Sequence, residues 1–148
     1  MEGRSVAEVH HVEQRVGPVG LTMPASSVHL RIVRLVTAAV AVELDFDVDQ
    51  LEDLRVAVDE LCGSLMEHAP PGARVHLTLC SGPGRHLVAE GSLSVDAGPL
   101  NIDPVSESLL DGLDLEWSTG MTSSFRLVAP RVARSGLGRP PGLDGSSL

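Results

Sequence analysis

Leu51, Leu54, Val58, Leu61 and Leu65 recur at intervals of three, four, three and four residues, and the run that carries them stops at the double proline of "APPG". That spacing places all five side chains on one face of an α-helix. Proline has no amide hydrogen to continue the ladder, so the helix ends there. The next segment, "RVHLTLC", alternates apolar and polar residues as a half-buried strand does. An amphipathic helix beside half-buried strands must cover a sheet face, which points to a layered α/β domain.

The remaining elements fit around this pair. Residues 1–18 lack sustained periodicity, end in "GPVG", and read as a flexible N-terminal arm. "LTMPA" predicts a first strand, and Ser26 or Ser27 can cap the helix that follows. In that helix Ile32, Val33, Val36, Val40 and Leu44 recur at helical spacing. "DFDVDQ" breaks it, and an aspartate there caps the second helix. After "RVHLTLC", "SGPGR" turns and "HLVAEGSLSV" returns. "DAGPLNIDP" is loop, "VSESLLDGL" predicts a short helix, and "LDLEWS" and "SSFRLVAP" predict a terminal hairpin about "TGM". From Arg131 onward, glycine, proline, serine and arginine predict a disordered tail, residues 131–148. The order β-α-α-β-β-α-β-β over residues 19–130 predicts a two-layer α/β sandwich, with a mostly antiparallel mixed sheet and its helices on one face.

Composition narrows the function. The chain has no lysine, which excludes a GK[ST] phosphate loop, a Schiff-base lysine and the lysine clamp of ordinary protein kinases. Twenty acids against eleven arginines argue against a nucleic-acid surface. The longest apolar runs fall far short of the roughly 20 residues that span a bilayer. The polar, acidic start "MEGRSVAEVHHVEQ" lacks a signal core, so the expected location is cytoplasmic and no membrane partner is expected. Cys62 and Cys80 suit reduced, buried thiols, and their spacing to His68 and His86 forms no close metal clamp. With only Phe46, Trp117 and Phe125 as aromatics, the core must be aliphatic.

Chemistry concentrates on the second helix. Glu60 and Ser64 are one turn apart on a face that borders the apolar stripe. A carboxylate there can orient or deprotonate an attacking group. One turn on, an oxygen-bearing side chain can reach a magnesium ion that bridges phosphates. On the residues alone the simpler reading is a solvated Glu60 and a small Ser64 at a packing boundary.

The text "LTMPASSVHLRIVRLVTAAVAVELDFDVDQLEDLRVAVDELCGSLMEHA" resembles the first half of bacterial anti-sigma factors of the serine-protein kinase, RsbW-like type. These belong to the GHKL superfamily, with the fold of histidine-kinase and Hsp90-type ATPases. "LRVAVDELCGSLMEHA" matches the family's "l.lav.Ea..Nai.Ha" in register, Glu60 and His68 included. The likeness looks greatest to the actinobacterial branch, such as mycobacterial general-stress anti-sigma factors. It covers about residues 20 to 130 and is strongest to residue 69.

The resemblance implies roles for particular residues. Glu60 matches the glutamate held to be the general base, and Ser64 stands where an asparagine coordinates magnesium. Asp96 and Gly98 match the start of the DxGxG box, whose aspartate reads the adenine amino group. The second glycine of that box falls at Leu100. The glycine-rich lid should lie between Pro104 and Asp114, where Gly112 is the one glycine and the lid looks deleted. Gly120 and Thr122 match a final GxT element. Arg34 aligns with the first-helix arginine that meets the sigma factor and the antagonist in related proteins. On position alone it is an exposed arginine that pairs with Glu43 or another nearby acid.

The implied cofactors are ATP and magnesium. The three departures, at Ser64, Leu100 and the lid, imply that the ATP site is weakened or lost. The implied function is an anti-sigma factor that sequesters an alternative sigma factor, is released by an anti-anti-sigma antagonist, and acts as a homodimer without direct nucleic-acid contact. One alternative is an active ATP-dependent serine kinase that phosphorylates the antagonist. A second is a GHKL-like binding module for an unrelated regulatory partner.

Overall fold

The structure, a computed structural model, describes residues 16–131. Residues 1–15 of the expected arm (1–18) and residues 132–148 of the expected tail (131–148) lie outside the described residues. The elements follow the expected order: β1 (Val19–Pro24), α1 (Leu30–Glu43), α2 (Val48–His68), β2 (Arg74–Ser81), β3 (Leu87–Leu93), α3 (Pro104–Asp111), β4 (Glu116–Thr119) and β5 (Ser124–Ala129). The five strands form one sheet in the order β1-β2-β3-β5-β4. Every pairing is antiparallel, so the sheet is wholly antiparallel rather than mixed. The helices lie on one face, the arrangement the GHKL resemblance implies.

On α2, Leu54, Val58, Leu61 and Leu65 are buried, and Leu51 is half-buried against the same core. The side chain of Asp47 accepts from the Gln50 amide at 2.8 Å, and the Gln50 side chain accepts from the Asp47 amide at 3.1 Å. This reciprocal cap is worth about 1 kcal/mol, whereas each fully buried leucine contributes ~2 kcal/mol. Packing therefore decides that α2 exists, and the cap decides where it begins.

The first helix departs from its expectation in two ways. Ser26 precedes a 3-10 turn, Ser27–His29, and makes no side-chain cap hydrogen bond; the α-helix begins at Leu30. Its core face is Val33, Thr37, Val40 and Ala41, continued by Leu44, while Ile32 is exposed. Because α1 is apolar nearly all round, periodicity alone does not select the inward face. Leu44 ends the helix, Asp45 takes a left-handed φ of 62°, and the Arg85 guanidinium donates to the Asp45 carboxylate at 2.8 Å.

The sheet presents Val75, Leu77, Leu79, Leu87, Ala89, Phe125 and Leu127 to the core. Ahead of β1, Val16 is tied to the end of β2. The Ser81 amide donates to its carbonyl at 3.1 Å, and its own amide donates to Ser81 Oγ at 3.0 Å. Among the described residues no helix is long and apolar enough to cross a membrane.

Candidate functional site

Glu60, Ser64 and His68 follow one another at single-turn spacing along α2. Glu60 and Ser64 line a cleft of about 220 Å³ with Leu30 of α1, Gly63 and Glu67 of α2, and the start of α3. Four carboxylates face it: Asp59, Glu60, Glu67 and Asp103.

The α3 side of the cleft explains how Glu60 is held. Asp103 caps α3, accepting from the amides of Val105 and Ser106 at 2.9 Å each. Pro104 follows as the first helical residue, where its missing amide hydrogen costs nothing. Ser106 is nearly buried, and its hydroxyl donates to Glu60 Oε1 at 2.6 Å while lying 3.1 Å from Asp103 Oδ2. The Ser106 amide, chiefly, holds the Asp103 carboxyl below the usual carboxylate range. Burial opposes that shift, and the Ser106 hydroxyl and the Val105 amide add to it. The segment matched to the family's lid is thus a capped helix bonded to α2.

Arg34 reaches across from α1 to α2. Its Nε donates to Asp59 Oδ1 at 2.8 Å and its Nη2 to Asp59 Oδ2 at 3.2 Å. This two-pronged pair raises the Arg34 pKa above its ordinary value, first through the hydrogen bond and then through the charge of Asp59. Its acid is therefore Asp59 rather than Glu43, and it sits one residue before Glu60.

The loop that carries Asp96 and Gly98 lies against the far end of α2. Asp96 Oδ1 accepts from the Gly98 amide at 2.9 Å, which closes a tight turn. Gly98 has φ +95°, a conformation that L side chains rarely adopt. His68 Nε2 lies 3.1 Å from the Ala97 carbonyl oxygen. Ser123, buried at 2% exposure, ties the loop from the other side: its hydroxyl accepts from the Ala97 amide at 2.9 Å and donates to the Gly98 carbonyl at 2.7 Å. Leu100, in the second-glycine position, is buried in the hydrophobic core.

Gly120 and Thr122 lie in the β4–β5 turn and are exposed. The Gly120 amide donates to the Ser124 carbonyl at 3.1 Å, and Thr122 Oγ1 lies 3.3 Å from Ser124 Oγ. The hydroxyl that meets the Asp96 loop belongs to Ser123, one residue on. Sequence reasoning missed Ser106, Asp103, Asp59 and Ser123. For the first two a signal was present: aspartate before a proline, with a serine three residues after the cap, is a helix-start pattern.

Among the described residues no group of three or more His, Cys, Asp or Glu side chains comes together as a metal site. The cleft is also smaller than the roughly 300–1,000 Å³ of ordinary small-molecule sites.

No protein-family model matches the chain. Among curated proteins the chain is similar to serine-protein kinase RsbW of Bacillus cereus, 28% identical over an alignment of 114 positions that covers 69% of this chain and 71% of that protein. It is also similar to proteins of the same name from Bacillus thuringiensis and Bacillus anthracis, 32% identical over 56 residues. Those matches cover 38% of this chain and 35% of each relative, so there the chain spans about a third of the relatives' length.

Proposed function

We propose that the chain is an RsbW-like anti-sigma factor that works by contact. It sequesters an alternative sigma factor, is released by an anti-anti-sigma antagonist, and retains a weakened or lost ATP site. The anti-sigma part rests on the RsbW resemblance over most of the chain, carried by "LRVAVDELCGSLMEHA". The resemblance also implies a homodimer and makes Arg34 the favoured contact with the sigma factor.

The single observation behind the loss of nucleotide chemistry is the hydrogen bond from Ser106 to Glu60. A general base must face the proton it removes; here that carboxylate accepts from a capped helix of the same chain. Three further features agree. Ser64 offers a short hydroxyl where a longer carbonyl ligand is expected. The cleft around it gathers four carboxylates, which repel phosphate in a partly desolvated site. The Leu100 side chain fills core where a glycine would leave room for close backbone approach. The residues present therefore fit magnesium-ATP poorly, and no catalytic step is assigned to it.

The kinase reading keeps one specific support: by resemblance Glu60 stands at the family's base glutamate, and the chain is similar to a relative named serine-protein kinase. Calorimetric titration of ATP, first with magnesium and then with EDTA, separates the two. The contact reading expects no heat at millimolar ATP and unchanged sigma-factor binding without nucleotide. Magnesium-dependent micromolar binding, near −8 kcal/mol, together with phosphate transfer to an antagonist that Glu60→Ala abolishes, would restore the kinase reading.

A further inference from the structure

The chain leaves β5 at Ala129 along the wall of a groove of about 190 Å³. Phe46 and Leu115 form the apolar part of that groove. Asp47, Asp49 and Asp53 line it from the start of α2, and Asp114 lines it from the approach to β4. Its size is below the roughly 300–1,000 Å³ of ordinary small-molecule sites, so it suits the side chains of a peptide. Part of the acidity has a local cause. Asp47 caps α2, and Asp49 lies in the first turn, where a carboxylate complements the helix dipole. Asp53 and Asp114 have no such cause. The ion pairs formed between described residues engage Asp45, Glu52, Asp59 and Glu90, none of which lines the groove.

Two donors at the same place ask independently for a ligand. Among the described residues, Gln50 Nε2 in the groove wall and Arg131 Nε, one residue past Pro130, are buried without a hydrogen-bond partner. A buried donor left unpaired is costly. A metal ion would satisfy the aspartates but not these donors. An extended basic peptide serves both, because its carbonyl groups accept hydrogen bonds while its side chains meet the carboxylates.

The occupant within reach is the chain's own tail. Residues 132–148 carry Arg134 and Arg139 against a single acid, Asp144. Arg134 is four residues beyond Pro130 in the groove wall, a reach of ~14 Å when extended. Leu137, between the two arginines, offers an apolar side chain to Phe46 and Leu115. The segment is too short and too rich in glycine, proline and serine to build a core of its own, so any order in it comes from the surface it lies on.

We propose that the tail, residues 132–148, folds back onto this groove as an internal basic ligand, with Arg134 set between Asp53 and Asp114. The docked tail ties the end of β5 to the start of α2. The inference stands apart from the RsbW reading, and its test uses neither nucleotide nor sigma factor, so the two fail separately.

A nitroxide on Gly138→Cys, in the full chain with Cys80→Ser, reports where the tail lies through the loss of nearby amide NMR signals. Cys62 is fully buried and stays unlabelled. At low salt the amides of Asp49, Asp53 and Asp114 are expected to lose intensity, while that of Thr22 on the edge strand β1 keeps it. The paired substitution Asp53→Asn and Asp114→Asn should restore the signals. So should Arg134→Gln with Arg139→Gln, which leaves the folded body untouched. Salt at about 1 M, where the screening length falls to ~3 Å, should act in the same direction. Groove signals that keep full intensity in the labelled chain would overturn the proposal. So would a loss that survives both paired substitutions, or an equal loss when the nitroxide is carried by a different copy from the one observed.

Discussion

The hydroxyl of Ser106 donates to the carboxylate of Glu60 across 2.6 Å, joining two helices whose partner residues are 46 positions apart in the chain. The bond is short, it involves a charged acceptor, and it is partly shielded from water. It therefore lies toward the stronger end of what a single side-chain hydrogen bond contributes.

Replacing Ser106 with alanine should cost about 2 kcal/mol, which lowers the melting temperature by ~8 °C in a domain of this size. Glu60→Gln keeps an acceptor oxygen and should cost less than Glu60→Ala. Thermal melts of the three variants check the order. Equal losses for glutamine and alanine at position 60 would mean that the hydroxyl does not depend on an oxygen there.

Alkaline stability should be governed by one thiol. Cys62 is fully buried, and burial, with a smaller push from the charge of Asp59, raises its pKa from the ordinary 9.0 to about 12. The folded state thus keeps its proton where the unfolded chain loses it. This contribution is complete below pH 9 and is lost between pH 9 and about 12, at a slope approaching ~1.4 kcal/mol per pH unit. The chain has no lysine and no tyrosine to mask the effect. Urea titrations at pH 8, 9 and 10 should show the decline, and Cys62→Ala should flatten it from a lower starting stability. Under native conditions Cys80, which is only half-buried, should react with a thiol reagent before Cys62.

Gly91 pairs across the sheet with Phe125, and a methyl group placed on it would overlap the Phe125 ring. That ring is 3% exposed and has little room to move. Gly91→Ala should destabilise by about 2 kcal/mol through overpacking, and chemical denaturation measures it. Phe125→Leu in the same chain should recover part of the loss, because the clash is with the ring.

How far the sequence could be read depends on how local each cause is. The α2 stripe and the alternation of β2 are repeated every few residues, so periodicity found both elements and their inward faces. In α1 the same method chose Ile32, which is exposed, and passed over Thr37, which is fully buried. Apolar residues on both sides of a helix leave the pattern without a preferred face. The Arg34 partner was sought nearby, but Asp59 is 25 residues away and arrives only through the packing of α1 on α2. The Glu60–Ser106 bond was invisible for the same reason. The segment between Pro104 and Asp114 drew attention for what it lacks as a lid. Its capped helix start was written in "DPVS", a local signal that says nothing of where the helix docks.

The strand order carries a further consequence for how the chain reaches its native state. β3 lies in the middle of the sheet, and one of its two partners is β5, the last strand in sequence among the described residues. On a ribosome, Leu87, Ala89 and Gly91 therefore wait with one open edge until Ser124–Ala129 emerges, and α3 has been made in the meantime. A nascent chain that stops short of β5 offers an unpaired apolar edge to other chains. Pairing of β3 is thus withheld until Ser124–Ala129 has been made, and proteolytic loss of that strand would open the middle of the sheet rather than trim its edge.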